Sequence, residues 1–299
     1  MTRIVISGGS GFIGEPLVNV LLARGDDVSV LTRNPASVRA GKAVHWNPRE
    51  RTGWEGLVRD ADALINLAGE NVGAGRWTTE RKQAILHSRE EVTGALTEVM
   101  LASPNPKRTF LSASAIGRYG NRGDEELDEQ SAAGSGFLAD VTKRWEEIAL
   151  RAESAARVVV MRFGVVLAAN GGALGKMALP FRFGAGGPLG NGRQWMSWID
   201  RDDLIRMMVW ALDRSEVRGV YNGTAPNPVT NAEFTVALGR ALHRPAILPA
   251  PAFALRLALG EMADEMLLGG QRVLPKRATG EGFQFTYPTV GESLAHIYP

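Results

Sequence analysis

Short apolar runs rich in β-branched residues alternate with longer stretches of helical period through the first two thirds of the chain. "RIVISG" (Arg3–Gly8) precedes the helical pattern "GEPLVNVLLARG" (Gly14–Gly25) and the strand pattern "DVSVLTR" (Asp27–Arg33). Next come the strand "DALINLAG" (Asp62–Gly69) and the long helix "TTERKQAILHSREEVTGALTEVML" (Thr78–Leu101). The strand "RTFLSAS" (Arg108–Ser114), the helix "FLADVTKRWEEIALRAE" (Phe137–Glu153) and the strand "RVVVMRFG" (Arg157–Gly164) complete the series. Apolar strands alternating with helices predict an α/β fold in which a parallel sheet is covered on both faces.

The texture changes after Gly164. "FRFGAGGPLGNGRQ" is glycine-rich and reads as loop. "RDDLIRMMVWAL" reads as helix, with Asp200, Asp202 and Asp203 at its start as capping residues rather than a cation site. "TNAEFTVALGRALHRP" opens with Thr230 and Glu233 at capping-box spacing. The pattern divides the chain into a larger lobe, 1–165 with 197–224, and a smaller one, 166–196 with 225–299.

Composition narrows the class. The chain has 299 residues, 44% hydrophobic and 22% charged, with 34 Lys and Arg against 32 Asp and Glu. That balance, with no basic block, argues against nucleic acid as a partner. There is no cysteine, so disulfides and thiolate metal sites are ruled out. The four histidines, His45 and His87 among them, show no metal-ligand spacing, and no metal is expected. Arg162 interrupts one long apolar run, and Arg256, Glu261, Asp264 and Glu265 interrupt another, so no membrane span is expected. The strand pattern begins at once, with no targeting segment ahead of it, and a cytoplasmic protein acting on a small molecule is the expectation.

"VISGGSGFIGEPL" carries the candidate chemistry. Gly8, Gly11 and Gly14 fit Gly-x-x-Gly-x-x-Gly, and Gly9, Gly11 and Gly14 fit Gly-x-Gly-x-x-Gly. The motif follows an apolar strand and opens a helix, the context of a dinucleotide pyrophosphate loop over Gly8, Gly9, Ser10, Gly11, Phe12, Ile13 and Gly14. NAD sites place an acid at the end of the next strand, but here stand Thr32, Arg33 and Asn34. A guanidinium cannot accept from a ribose hydroxyl but can clamp a 2′-phosphate, so NADP(H) is favoured over NAD(H). "NGGALGKM" fails as a phosphate loop, because Asn170 and Met177 stand where Gly and Ser or Thr belong.

With "GGSGFIG", "LTR", "LINLAGE" and "LSASAIGRYG", the chain resembles an extended short-chain dehydrogenase/reductase. More narrowly, "RWTTERKQAILHSR", "YNGTAPNPVTNAEF" and "GGQRVLPKR" resemble epimerase-family proteins of the NAD-dependent epimerase/dehydratase type with a C-terminal domain of unknown function. The resemblance implies a Rossmann-type doubly wound sheet with a smaller C-terminal α/β substrate lobe closing over the cofactor. It places Asn66, Leu67, Ala68 and Gly69 beside the cofactor, with Arg89 from the long helix and Phe163, Gly164 and Val165 near the nicotinamide. A surface Arg89 paired with a neighbouring Glu is the competing reading.

The superfamily resemblance also implies a Ser–Tyr–Lys constellation. Ser114 matches the Ser, ahead of Ser112, but no Tyr lies four residues before Lys143 or Arg144. The stripe Phe137, Val141, Trp145 and Ile148 centres about 35° from Phe137 at about 100° per residue. Arg144 then lies about 55–60° from that centre and Lys143 about 155° away. The expectation is therefore Asp140 and Arg144 facing the cofactor and Lys143 facing solvent, with a surface Asp–Arg pair as the rival reading. Tyr119 is a candidate acid from the loop after Ser114, with a conformational role equally open. Arg193 and Trp195 are candidates for a substrate wall or for a packed hairpin. A homodimer is compatible with this reading.

Overall fold

The computed structural model describes residues 1–50, 52–169 and 171–299. Seven strands form the central sheet: β1 (Arg3–Ser7), β2 (Asp27–Thr32), β3 (Lys42–His45), β4 (Ala63–Asn66), β5 (Thr109–Ala115), β6 (Arg157–Phe163) and β7 (Gly219–Gly223). All six pairings are parallel, in the spatial order β7-β6-β5-β4-β1-β2-β3. This is the doubly wound order, which reverses between β1 and β4 and opens a ligand crevice at the C-terminal strand ends there.

Burial explains the apolar runs. Helices α1 (Gly14–Ala23) and, later in the chain, α6 (Arg201–Asp213) cover one face, where Leu17, Val18, Leu21, Leu204 and Met208 pack with Ile4, Ile6 and Val30. Helices α2 (Glu55–Asp60), α3 (Thr79–Ala102) and α4 (Phe137–Leu150) cover the other, where Val58, Leu96, Met100 and Ala149 pack with Val5, Leu64 and Val160. Central strands buried on both faces must be apolar on both sides, which is why they read as runs rather than alternations. Strand β3 lies outside the elements that the pattern predicts: Lys42, Ala43 and His45 are exposed at the sheet edge, so no apolar signal marks it.

A separate core joins α5 (Gly172–Arg182), α7 (Asn231–Ala241) and the closing helix Val290–Ile297 through Leu174, Phe181, Phe234, Leu238, Val290 and Leu294. The predicted capping box is present: Thr230 accepts from Glu233 N, and the Glu233 carboxylate accepts from Thr230 N. Helix α5 was hidden from the pattern by its glycines and by Pro180 within it, and the Asn170 before it lies outside the described residues. No helix among the described residues is long and apolar enough to cross a membrane.

The three aspartates before and in α6 divide their work. Asp200 caps the helix by accepting from Asp202 N at 2.9 Å, and Ser293 Oγ donates to it at 2.7 Å. Burial pushes the Asp200 carboxyl upward. Asp203 is not a cap. Its enclosed carboxylate accepts from Thr286 N (2.9 Å), Tyr287 N (2.8 Å) and Arg206 Nη1 (2.7 Å), tying the C-terminal tail to α6. Asp203→Asn replaces one acceptor with an NH2 group facing these donors. It should lower the free energy of unfolding by about 2 kcal/mol, read from urea denaturation.

Candidate functional site

The turn from β1 into α1 is crowded backbone. Gly8 has φ of +77°, and a Cβ there would fall 2.8 Å from the Leu67 carbonyl carbon. At Gly14 a Cβ would lie 2.2 Å from the Gly8 carbonyl oxygen. Only glycine fits at either place. The loop is therefore pressed against the chain leaving β4, and α1 begins directly from it. Backbone N–H groups at the first turn of a helix lack intrahelical acceptors and carry partial positive charge, which suits a diphosphate. Phe12, at the tip of the loop, packs against Gly171 and Gly172 just ahead of α5 and within its first turn, while Arg201 lies over its ring at 5.3 Å.

The other predicted cofactor contacts lie along the same sheet edge. Leu67, Ala68, Phe163, Gly164 and Val165 are partly exposed there, and Gly69 is exposed. The Asn66 side chain is turned inward: its Oδ1 accepts from Ser7 Oγ at 2.7 Å, and its Nδ2 donates to Thr93 at 2.9 Å. Thr32 Oγ1 accepts from Asn34 N at 3.1 Å, which turns the chain at the end of β2 and leaves Arg33 exposed. Arg89 is not a surface ion pair. Its guanidinium packs over Gly69, donates to the carbonyls of Ile85 (2.9 Å) and Glu70 (3.1 Å), and stacks on Trp145 at 5.0 Å. Burial pushes its pKa down to about 10, with Glu70 opposing.

The expected catalytic side chains are placed differently. Ser114 is only 2% exposed, and its hydroxyl donates to Glu146 Oε1 at 2.6 Å. Glu146 is itself buried and takes both Nε and Nη2 of Arg162, each at 2.8 Å, with Arg118 Nε 3.3 Å from Oε2. Arg162 Nη1 donates to the Tyr119 hydroxyl at 2.8 Å, which donates to Asn222 Oδ1 at 2.7 Å. Burial lowers the charge preference of Arg162, but its Glu146 bonds outweigh this and hold the pKa above the ordinary arginine value. Burial pushes the Tyr119 phenol upward, against the Arg162 charge. Tyr119 is fully enclosed, so the expectation of an acid reaching in from the loop is corrected to a member of a sealed network. Ser114 belongs to the same network.

The orientation of α4 also needs correction. Arg144 is 59% exposed and pairs with Glu90 at 3.0 Å and Glu147 at 3.8 Å. Asp140 is 73% exposed and is held by Lys143, which is the less exposed of the two basic residues. Arg144 is thus not at the buried border, and Asp140 and Arg144 lie on the outer face of the helix. The cause is the set of small and polar residues that the apolar stripe leaves out. With Ala139, Thr142, Glu146 and Ala149 also buried, the buried arc centres about 75° further round than the apolar stripe alone indicates. A binary pattern assigns a glutamate to solvent. The sign that could have found its partner is Arg162, a lone charge inside an apolar strand run. The N-terminus of α4 is held by another unforeseen residue, Glu265, whose carboxylate accepts from Phe137 N (2.7 Å) and Leu138 N (2.9 Å).

Arg193 and Trp195 line one cavity of about 230 Å³ with Asn121, Asp124, Asn191 and Gln194. The Trp195 indole N–H donates to Asp124 Oδ1 at 2.7 Å, and the Arg272 guanidinium lies over the indole at 4.5 Å.

Known proteins resemble this chain along nearly its whole length. Residues 4–222 match the NAD dependent epimerase/dehydratase family, and residues 250–297 match a domain of unknown function, DUF1731. An epimerase family protein of Mycobacterium leprae is 42% identical over 295 residues, covering 98% of this chain and 94% of that one. The crystal structure of the human epimerase family protein SDR39U1 with NADPH superposes with a TM-score of 0.87 at 36% identity, covering 99% of both chains. A nucleoside-diphosphate sugar epimerase from Corynebacterium glutamicum superposes with a TM-score of 0.81 at 33% identity, covering 99% of this chain and 58% of that one. With the doubly wound sheet, the glycine turn and these end-to-end likenesses together, the chain belongs to the NAD-dependent epimerase/dehydratase family and carries that family's Rossmann-like fold with a DUF1731 C-terminal region.

Proposed function

We propose that this protein binds NADP(H) at the β1–α1 turn and acts as an oxidoreductase or epimerase on a small polar, nucleotide-sugar-like molecule. The observation that carries the reading is the crowded glycine turn, with exposed Arg33 and no acid at the end of β2. The diphosphate lies on the amides at the start of α1, and the Arg33 guanidinium takes the 2′-phosphate. The NADPH bound by the human relative supports the same choice. A bound nicotinamide supplies or takes the hydride; Leu67, Ala68, Phe163, Gly164 and Val165 shape the space for it. The substrate occupies the cavity of Arg193 and Trp195, where a cation, an aromatic face and amide groups suit a polar ring.

A second reading is a dinucleotide-binding sensor or scaffold without turnover. It is favoured by the sealed hydroxyls of Ser114 and Tyr119, by the outward Asp140 and Arg144, and by the lack of a Tyr at 139 or 140. A proton donor needs access to the reacting oxygen, which an enclosed hydroxyl lacks.

Two measurements separate these readings. Arg33→Asp should weaken NADPH binding about tenfold or more in titration calorimetry while sparing NADH, since a carboxylate repels the 2′-phosphate and accepts from ribose hydroxyls. An unchanged preference removes Arg33 from the site. NADPH consumption over a panel of carbonyl compounds and sugar nucleotides tests turnover. The first reading expects at least one substrate to be reduced, and silence across the panel alongside tight NADPH binding selects the second.

A further inference from the structure

The surface opposite in character to the polar cleft is built from three pieces laid side by side. The end of α5 carries Leu179 and Phe183. The strap after α7 carries Ile247 and Leu248, and it runs along residues 186–190 through Leu248 N to Gly186 O, Ala250 N to Pro188 O and Gly190 N to Ala250 O, each at 2.9 Å. The strap leads into α8 (Ala252–Leu259), which carries Phe253 and Leu257 and buries none of its 8 residues. All six of these apolar side chains are more than half exposed, Phe183 reaching 80% and Leu257 79%. Monomeric surfaces seldom leave large aromatic and aliphatic groups so grouped without a partner.

Charge says which partner. From Gly171 to Ile199 and from Phe234 to Gly260 the sequence contains no Asp or Glu, while it contains Lys176, Arg182, Arg193, Arg240, Arg244 and Arg256. The whole chain carries a net charge of only +2, so the rest of the molecule is net acidic. Arg240, His243 and Arg244 line one depression with Val236 and Ile247, which sets cations directly beside the apolar group. A second copy of this chain fits poorly, because a two-fold pairing would set the Arg240 and Arg244 cations of one copy against those of the other. An anionic lipid surface fits both features. Helix α8, with Phe and Leu four residues apart on its outer side, can sink that side to the headgroup boundary while Arg240 and Arg244 meet lipid phosphates; Arg256 on the same helix is already paired with Asp264 at 2.9 Å.

We propose that the face formed by the end of α5, the 245–251 strap and α8 docks on anionic bilayer surfaces, with Phe253 and Leu257 inserted and Arg240 and Arg244 at the headgroups. This departs from the expectation of no membrane partner, which rested on the lack of a span; the protein lies on the surface and does not cross it.

Co-sedimentation of the intact protein with vesicles tests this. Vesicles of phosphatidylcholine alone are compared with vesicles containing about one-third phosphatidylglycerol, at low and high salt. The expected result is binding to the anionic vesicles only, reversed by salt. Phe253→Glu/Leu257→Glu and, separately, Arg240→Glu/Arg244→Glu should each reduce partitioning about tenfold or more. All four positions lie at the surface or its rim, so an unchanged thermal transition and unchanged NADPH affinity serve as the check that each variant is folded. Absence of wild-type binding to anionic vesicles overturns the proposal, as does equal binding by either folded double variant. A concentration-dependent dimer that Phe253→Glu/Leu257→Glu abolishes, without vesicle binding, would assign the face to a second copy instead.

Discussion

Backbone packs directly on backbone where β1 turns into α1, and the ligand-binding edge is organised around that contact. Gly8 lies against Leu67 as the chain leaves β4, and Gly14 lies against Gly8 itself. No side chain can be interposed, so the start of α1, the end of β1 and the end of β4 are held at one distance from each other. That contact sets the start of α1 at the crevice of the doubly wound sheet. Leu67, Ala68, Phe163 and Gly164 lie at or just beyond the C-terminal ends of β4 and β6 and are partly exposed there.

A second constraint lies beneath that edge. The Glu146–Arg162 pair takes in Ser114, Arg118, Tyr119 and Asn222, and Asn222 Nδ2 continues to the Leu274 carbonyl at 3.0 Å. Strands β5, β6 and β7, helix α4 and the C-terminal region therefore meet on one polar cluster. Burying a charged pair gains little stability over apolar packing, because desolvation offsets much of the attraction. Its directional bonds do constrain geometry: α4 can satisfy Glu146 in only one rotation. The same network that sets the helix also withholds the Ser114 and Tyr119 hydroxyls from the cleft.

The C-terminal region contributes in both directions. Glu265 supplies acceptors to the first amides of α4, so the start of that helix depends on a residue more than a hundred positions away in sequence. Asp203 binds the tail at Thr286 and Tyr287. Helix α8, by contrast, rests on the surface, turning Phe253 and Leu257 outward while Leu259 packs inward.

Local chemistry was legible wherever a short stretch had only one physical solution. Apolar runs long enough to be buried on both faces marked β1, β2, β4, β5 and β6; the glycine spacing marked the turn into α1; Thr230 and Glu233 marked the start of α7. Exposed β3 and glycine-rich α5 left no such mark. Arg33 could be placed at the end of β2 because strand length alone brings it there. The enclosure of Ser114 and Tyr119 depended on a partner for Glu146 that lies on β6, and the outward turn of Asp140 and Arg144 depended on which small and polar residues of α4 are buried beside its apolar stripe. Periodicity counts a charged residue as solvent-facing, and only the folded chain supplies the opposite charge that allows it to be buried.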